Sequence, residues 1–319
     1  MNILDLQTIK DHLDEVDVLN AVEKNFVEYS NGNANVPPVG HLVLPDGDCH
    51  IKYGHINGDP FFVIKVASGF HNNTQKGLNA STGLMLLCSA ETGAPVALLQ
   101  DEGHLTDIRT AVAGAVAGKY LAVADADSIG IVGAGVQAEL QLRWASRVSA
   151  CQRALVWNRT SARAHELREK FAATDIDVTV VQDIEELVAR SRHIITTTPS
   201  TSPLIFSEWV QPGTHITAVG ADCPGKQELD ATLVQRADVL VVDSVSQCVG
   251  QGEVQTALAQ GLIAETDLVE LGHVIGGETG GRSNDKQISI ADLTGVAVQD
   301  IAIARSVYDT WHTSNAGMS

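Results

Sequence analysis

The segment Ser128-Ile-Gly-Ile-Val-Gly133-Ala-Gly135-Val-Gln-Ala138 carries an apolar strand straight into a glycine turn and an expected helix. Gly133 permits the tight turn, Gly135 lets backbone amides approach a pyrophosphate, and Ala138 lets the helix pack closely on the sheet. The positive end of the helix then faces phosphate. A bare GxGxxA is a weak signal, but a strand before it and a helix after it make it a dinucleotide-binding turn, with Gly133 and Gly135 at the ligand. The ordinary alternative is a glycine turn in an α/β fold that binds no nucleotide.

The next strand, 153–158, ends about 20 residues later, where such folds hold the adenosine ribose. An NAD site usually places Asp or Glu there. This chain reads Asn158-Arg159-Thr160-Ser161-Ala162-Arg163. No carboxylate stands ready to repel a 2′-phosphate, and Asn158, Arg159, Thr160 and Arg163 offer donors to one. The pattern favours NADPH over NADH. The competing explanation is a solvated helix start carrying Arg159 and Arg163.

Two textures divide the sequence. From about 128 to 290, short apolar runs alternate with helical stretches (129–132, 155–157, 178–181, 193–197, 215–219 and 239–242), which predicts a parallel sheet covered on both faces. Before it, an opening helix near 14–30 leads into strand-like runs punctuated by Asn57-Gly58-Asp59-Pro60 and Glu91-Thr92-Gly93. These are hairpin signals of an α+β unit with a mostly antiparallel or mixed sheet. A helix over 105–123 links the two, and another from 295 to about 311 returns to the first. The fold class is α/β: residues 121–295 form a Rossmann-type NAD(P)-binding domain, and residues 1–120 with 296–319 an α+β substrate domain. The glycine run 276–281 is expected to be a surface loop.

With 319 residues and a net charge of −18, the chain can hold two cores and repels nucleic acid and anionic membranes. An anionic ligand therefore needs local cations. The five cysteines show no CxxC spacing, and the start of the chain lacks a signal-peptide pattern, so a cytoplasmic location is expected. The apolar stretch 105–124 is interrupted by Asp107, Arg109 and Lys119, which marks a buried core helix rather than a membrane span. None of the eleven histidines forms the i, i+4 pair of a helical zinc site, and no metal is expected.

Several segments together give the chain a family likeness: Val63-Ile-Lys65-Val66, Gly77-Leu78, Glu91-Thr-Gly93, Leu105-Thr-Asp-Ile-Arg109-Thr110-Ala111, Gly133-Ala-Gly135-Val-Gln137, Gly220-Ala-Asp222-Cys-Pro-Gly225-Lys226 and Gly295-Val-Ala-Val-Gln-Asp300. On these the chain resembles the ornithine cyclodeaminase/μ-crystallin family over essentially its whole length. The resemblance implies a homodimer formed through the non-Rossmann domain and an active site in the interdomain cleft. It also implies that Arg109 and Lys65 grip a substrate α-carboxylate, chemistry that suits a planar guanidinium and an ammonium. Asp222 matches the acid that contacts the reacting nitrogen. Thr110, Ala134, Val136 and Gln137 are implied at the cofactor phosphates and Gly220 and Val296 beside the nicotinamide, with Thr198 and Val219 counted as further cofactor contacts. Outside the family pattern each catalytic residue has an ordinary reading: Lys65 as a solvent-facing strand lysine, Arg109 as a partner of Asp107 or Asp101, Asp222 as a turn former.

The chain departs from the cyclodeaminases where substrate is chosen. His41 stands at their arginine, and Lys52 at the glutamate that holds ornithine's distal ammonium. A lysine facing an ammonium in a closed cleft is strongly repulsive, so ornithine is disfavoured. Lys52 looks more like the family's alanine dehydrogenase and ketimine reductase members. The expected activity is NAD(P)H-dependent reduction of a small cyclic α-imino acid, Δ1-pyrroline-2-carboxylate or Δ1-piperideine-2-carboxylate, to L-proline or L-pipecolate. Asp222 is the candidate partner of the iminium proton, with Lys52 or His41 as alternatives. The competing activities are an alanine-dehydrogenase-like enzyme, a true cyclodeaminase, and a non-catalytic NADPH-dependent binding protein.

Overall fold

The computed structural model describes residues 1–279 and 281–316. The chain divides into two compact units, Met1–Arg109 with Val296–Ser319, and Thr110–Gly295. The division falls within the helix His104–Leu121, ahead of residue 120, because the second half of that helix packs into the second unit. There Gln141 donates to the Thr110 carbonyl (3.1 Å), and Gly118 lies so close to the His193 ring that a Cβ would meet it at 2.7 Å.

In the second unit eight short parallel strands form one sheet, in the order Asp177–Val180, Arg153–Trp157, Ile129–Val132, His193–Thr196, His215–Ala218, Ser289–Asp292, Val239–Val242, Leu268–Glu270. Chain direction across the sheet reverses at Ile129–Val132: the next strand lies on one side of it and His193–Thr196 on the other. That is the topological switch point at which doubly wound sheets bind ligands. Burial on both faces explains the near-continuous apolar runs. The strand Ser289–Asp292 sits mid-sheet although its ends are polar, and those ends are satisfied: His215 Nδ1 lies 2.9 Å from Ser289 Oγ, and Asp292 accepts from the Val254 amide.

In the first unit a seven-stranded sheet is antiparallel except where Asn2–Leu4 runs parallel to Pro95–Leu99. The turn 57–60 joins Gly47–Ile56 to Phe61–Gly69, and Glu91–Gly93 joins Ser81–Ser89 to Pro95–Leu99, as the turn residues predict. The opening helical region is two helices, Leu6–Leu13 and Val18–Ser30, each started by an aspartate, Asp5 and Asp17, that accepts a first-turn amide. The helix Ala297–Ala316 packs on Val18–Ser30 and on one face of the sheet. Strand alternation sends Val63, Lys65, Met85, Leu87, Ala97 and Leu99 to the buried face. The other face carries Leu42, Leu44, Ile51 and Tyr53, all exposed, beside half-buried Ile64, Val66, Leu84 and Leu86.

Among the described residues no helix is long and apolar enough to cross a membrane. His104–Leu121 is apolar because residues such as Ala111, Val112, Ala115 and Val116 are wholly buried. In the glycine run 276–281, Gly277 ends the helix Leu271–Gly276 in a left-handed turn, and Gly280 lies outside the described residues.

Candidate active site

In the second unit the candidate region is the turn after Ile129–Val132. The Gly133 amide donates to the Trp157 carbonyl at 2.9 Å, which pins the turn to the neighbouring strand. Gly133 has φ +124°, and a Cβ there would meet Thr197 Oγ1 at 2.4 Å, so only glycine fits. Gly135 starts the helix Val136–Val148 without any side-chain cap, and the space where its Cβ would lie is open for at least 4 Å. A cavity of about 430 Å³ opens there, lined among others by Gly133, Ala134, Gly135, Asn158, Arg159, Thr160, Arg163 and Thr198. Among the described residues no carboxylate lines it. An uncapped helix start, an open glycine backbone and two arginines fit a dinucleotide phosphate. The larger cavity of this unit, about 1110 Å³, lies at the amino ends of the strands near Ser128, Arg153 and Asp177. Doubly wound sheets bind ligands at the carboxyl ends, so the smaller cavity is the cofactor candidate.

One residue that the sequence does not flag organises the loops beside this cavity. Glu228 is fully buried and accepts from Thr196 Oγ1 (2.7 Å), Thr198 N and Oγ1 (2.6 Å each) and Gly220 N (3.0 Å). It thereby ties together the loops that follow two adjacent strands, His193–Thr196 and His215–Ala218. Gly220 comes so close that a Cβ would meet Thr198 O at 2.2 Å and Glu228 Oε2 at 2.4 Å. Burial pushes the Glu228 carboxyl up to about 7, against the pull of its donors. The Glu228→Gln variant sets an NH₂ against amide or hydroxyl donors on one side. We expect a loss of about 1–3 kcal/mol in urea unfolding; an unchanged midpoint would show that the loops are held otherwise.

In the first unit the candidate region is a buried ion cluster. Lys65 Nζ and Arg109 Nε both lie 2.9 Å from Asp300 Oδ1, and Arg109 Nη1 donates to Gln299 Oε1 at 2.7 Å. Lys65 and Asp300 are each about 1% exposed. Lys65 is therefore no solvent-facing strand lysine, and the partner of Arg109 here is Asp300. Asp101 instead starts the helix His104–Leu121, accepting the Leu105 amide at 2.9 Å. Burial, then Arg109, lowers Lys65 to about 7, despite Asp300. Burial alone would raise Asp300, but Arg109 and Lys65 outweigh it and hold the carboxyl below its usual range. Gln299 Nε2 and Asp300 Oδ2 are buried with no hydrogen-bond partner, so the cluster retains capacity for a polar ligand. Gln299 and Asp300 are further residues of the site, hidden on a helix that otherwise reads as core.

The other candidates fall as follows. Lys52 pairs in register with Lys65, and His41 with His50, so all four share the sheet face of the ion cluster. Asp222 is exposed, on the loop after His215–Ala218, and forms a 2.6 Å ion pair with Lys226. Val219 and Gly220 follow the same strand, and the Val219 amide donates to the Thr196 carbonyl. Thr110, Val136 and Gln137 lie on the helices His104–Leu121 and Val136–Val148, outside the cavity lining, as do Val219 and Gly220. Val296 is buried at the start of the C-terminal helix, in the first unit.

A doubly wound sheet with a glycine turn at its switch point, an open helix start and a cavity there defines a dinucleotide-binding protein of the Rossmann class. The chain belongs to the ornithine cyclodeaminase/mu-crystallin family, which it matches over residues 2–315. It is 40% identical to an uncharacterised cyclodeaminase of Sinorhizobium fredii, over 95% of this chain and 93% of that one. An archaeal alanine dehydrogenase dimer with bound NAD superposes with a TM-score of 0.91 at 35% identity, covering 99% of this chain and 97% of that one. The Δ1-pyrroline-2-carboxylate reductase of Thermococcus litoralis, in complex with NADH and L-proline, gives 0.91 at 29% identity, covering 99% and 98%.

Proposed function

We propose that the protein is an NAD(P)H-dependent imine reductase whose substrate is a small cyclic α-imino acid, Δ1-pyrroline-2-carboxylate or Δ1-piperideine-2-carboxylate, reduced to L-proline or L-pipecolate. The observation that carries this reading is the buried cluster around Asp300. Two cations share one carboxylate there, and an unpaired amide donor stands beside them. Excess positive charge out of water calls for an anion. An α-carboxylate fits, because guanidinium and ammonium both donate to it. Lys52 on the same face disfavours a substrate with a distal ammonium. The likeness to a reductase solved with NADH and L-proline supports the same substrate class.

Gly133, Gly135, Arg159 and Arg163 would hold a reduced nicotinamide dinucleotide, which when bound would supply the hydride for the carbon of the C=N bond. The residues of this chain do the rest. Lys65, Arg109 and Gln299 hold the carboxylate and so fix the α-carbon. Glu228 fixes the Thr198 and Gly220 loops beside the cavity proposed for the cofactor. Asp222 stabilises the protonated imine nitrogen, for which its carboxylate exchanges the Lys226 ammonium for the iminium. The Asp222→Asn variant should lower kcat about a hundredfold with little change in KM; activity near wild type on every imine would remove it from the mechanism.

NADPH is the preferred cofactor in this reading, because Arg159 and Arg163 line the cavity without an acid. The reading is tested by incubating the enzyme with each imine and NADPH or NADH and resolving the products by chiral chromatography. L-Proline or L-pipecolate, formed faster with NADPH, supports it; no amino acid with either cofactor refutes it. A second reading, amino acid dehydrogenase with free ammonia and an open 2-oxo acid, is favoured by the likeness to the archaeal alanine dehydrogenase.

The active form is a homodimer joined through the exposed sheet face of the first unit. Leu42, Leu44, Ile51 and Tyr53 present an apolar surface that a second copy of the same face would bury, and the archaeal neighbour is a dimer. Ile51→Lys should halve the mass found by sedimentation; a wild-type monomer would contradict the proposal.

A further inference from the structure

We propose that His41, Asp48 and His50 form a binding site for a divalent transition-metal ion of the zinc class. The strands Gly40–Leu44 and Gly47–Ile56 pair antiparallel, with His41 directly opposite His50 and Asp48 two residues before His50. Side chains two apart on a strand, and those directly opposite on its partner, project from one face. The hairpin register alone therefore gathers two imidazoles and a carboxylate. The two rings stack with centroids 4.3 Å apart, and His41 Nε2 lies 3.6 Å from Asp48 Oδ2. One ligand atom from each of the three lies within 4.8 Å of the others.

Ligands of a tetrahedral zinc ion stand about 3.3 Å apart, as bonds of about 2.0–2.1 Å require. His41 Nε2 and Asp48 Oδ2, 3.6 Å apart, are already close to that spacing, and all three ligand atoms lie within 4.8 Å of one another. Two imidazoles and one carboxylate select zinc, cobalt, nickel or copper over magnesium or calcium, which prefer oxygen. Three protein ligands leave a coordination position for water. Cys49 points to the opposite face of the strand and takes no part. Lys52, two residues beyond His50 on the same face, opposes a cation there electrostatically. A search for helical i, i+4 histidine pairs misses this arrangement, because here the spacing is set by cross-strand register.

Metal uptake is measured without substrate or cofactor, so it stands or falls apart from the reductase reading. The full chain, tag-free and chelator-treated, is titrated with Co²⁺ while its visible absorption is followed, and Zn²⁺ is then added. The expected result is one equivalent of Co²⁺ in a low-coordinate spectrum, displaced by Zn²⁺. Affinity should fall more than about tenfold in both His50→Ala and the near-isosteric Asp48→Asn. It should be unchanged in His165→Ala, which removes an exposed helical histidine. Absence of stoichiometric uptake, or uptake unaffected by Asp48→Asn in protein that melts like wild type, overturns the proposal.

Discussion

Replacing Asp300 by asparagine should destabilise the protein by about 3–5 kcal/mol, a loss read from urea unfolding at neutral pH. The substitution keeps the shape and removes the one negative charge that Lys65 Nζ and Arg109 Nε share at 2.9 Å. Two cations then face each other in a site almost closed to water. Lys65, lowered to about 7 even with Asp300 present, would be driven to its neutral form. A second substitution, Lys65→Met, should recover part of the loss, because an apolar side chain neither gives up a proton on burial nor leaves an amine without its carboxylate. An additive double variant would show that the pair does not interact.

The same cluster sets a pH dependence whose sign follows from linkage. Between about 7 and the ordinary lysine value of 10.5, unfolded Lys65 binds a proton that the folded form does not. That group therefore makes stability rise with pH across this window. Asp300, held below its usual 3.8, contributes stability that is present above that value and lost on further acidification. Asp300→Asn abolishes the acid-side term.

The second large effect is on catalysis. Arg109→Met should lower kcat/KM for the imino acid about 1000-fold, since losing a buried charged donor to a carboxylate costs about 2–5 kcal/mol and each 1.4 kcal/mol is tenfold. Asp300 keeps Lys65 as a partner, so the fold should survive. NADPH affinity should change less than about twofold, because the cavity proposed for the cofactor is lined by other residues. Arg109→Lys should recover only part of the rate, as an ammonium lacks the planar fork. Equal losses in substrate and cofactor binding would show a general structural failure instead.

The parts of the molecule legible in the sequence were those governed by local chemistry. Gly133 and Gly135 announced the turn, and the apolar runs 129–132 and 239–242 are strands with those bounds. The strand Ser289–Asp292 is not legible in the sequence, because its ends are polar and its burial rests on bonds to residues far along the chain. Lys65 looks solvent-facing from strand alternation alone; only the packing of Ala297–Ala316 on that sheet face reveals its burial beside Asp300. Glu228 likewise reads as an ordinary acid until the loops after two adjacent strands converge on it. The pairing of His41 with His50 depends on hairpin register, which turn residues suggest but do not number.

Reduction of a preformed cyclic imine, the proposed reaction, is tested most directly by NADPH oxidation with Δ1-pyrroline-2-carboxylate as ammonia is varied from zero. Rapid oxidation at zero ammonia, with no dependence on its concentration, is the expected result. No oxidation without ammonia, together with oxidation of pyruvate that rises with ammonia, would contradict it and identify an amino acid dehydrogenase.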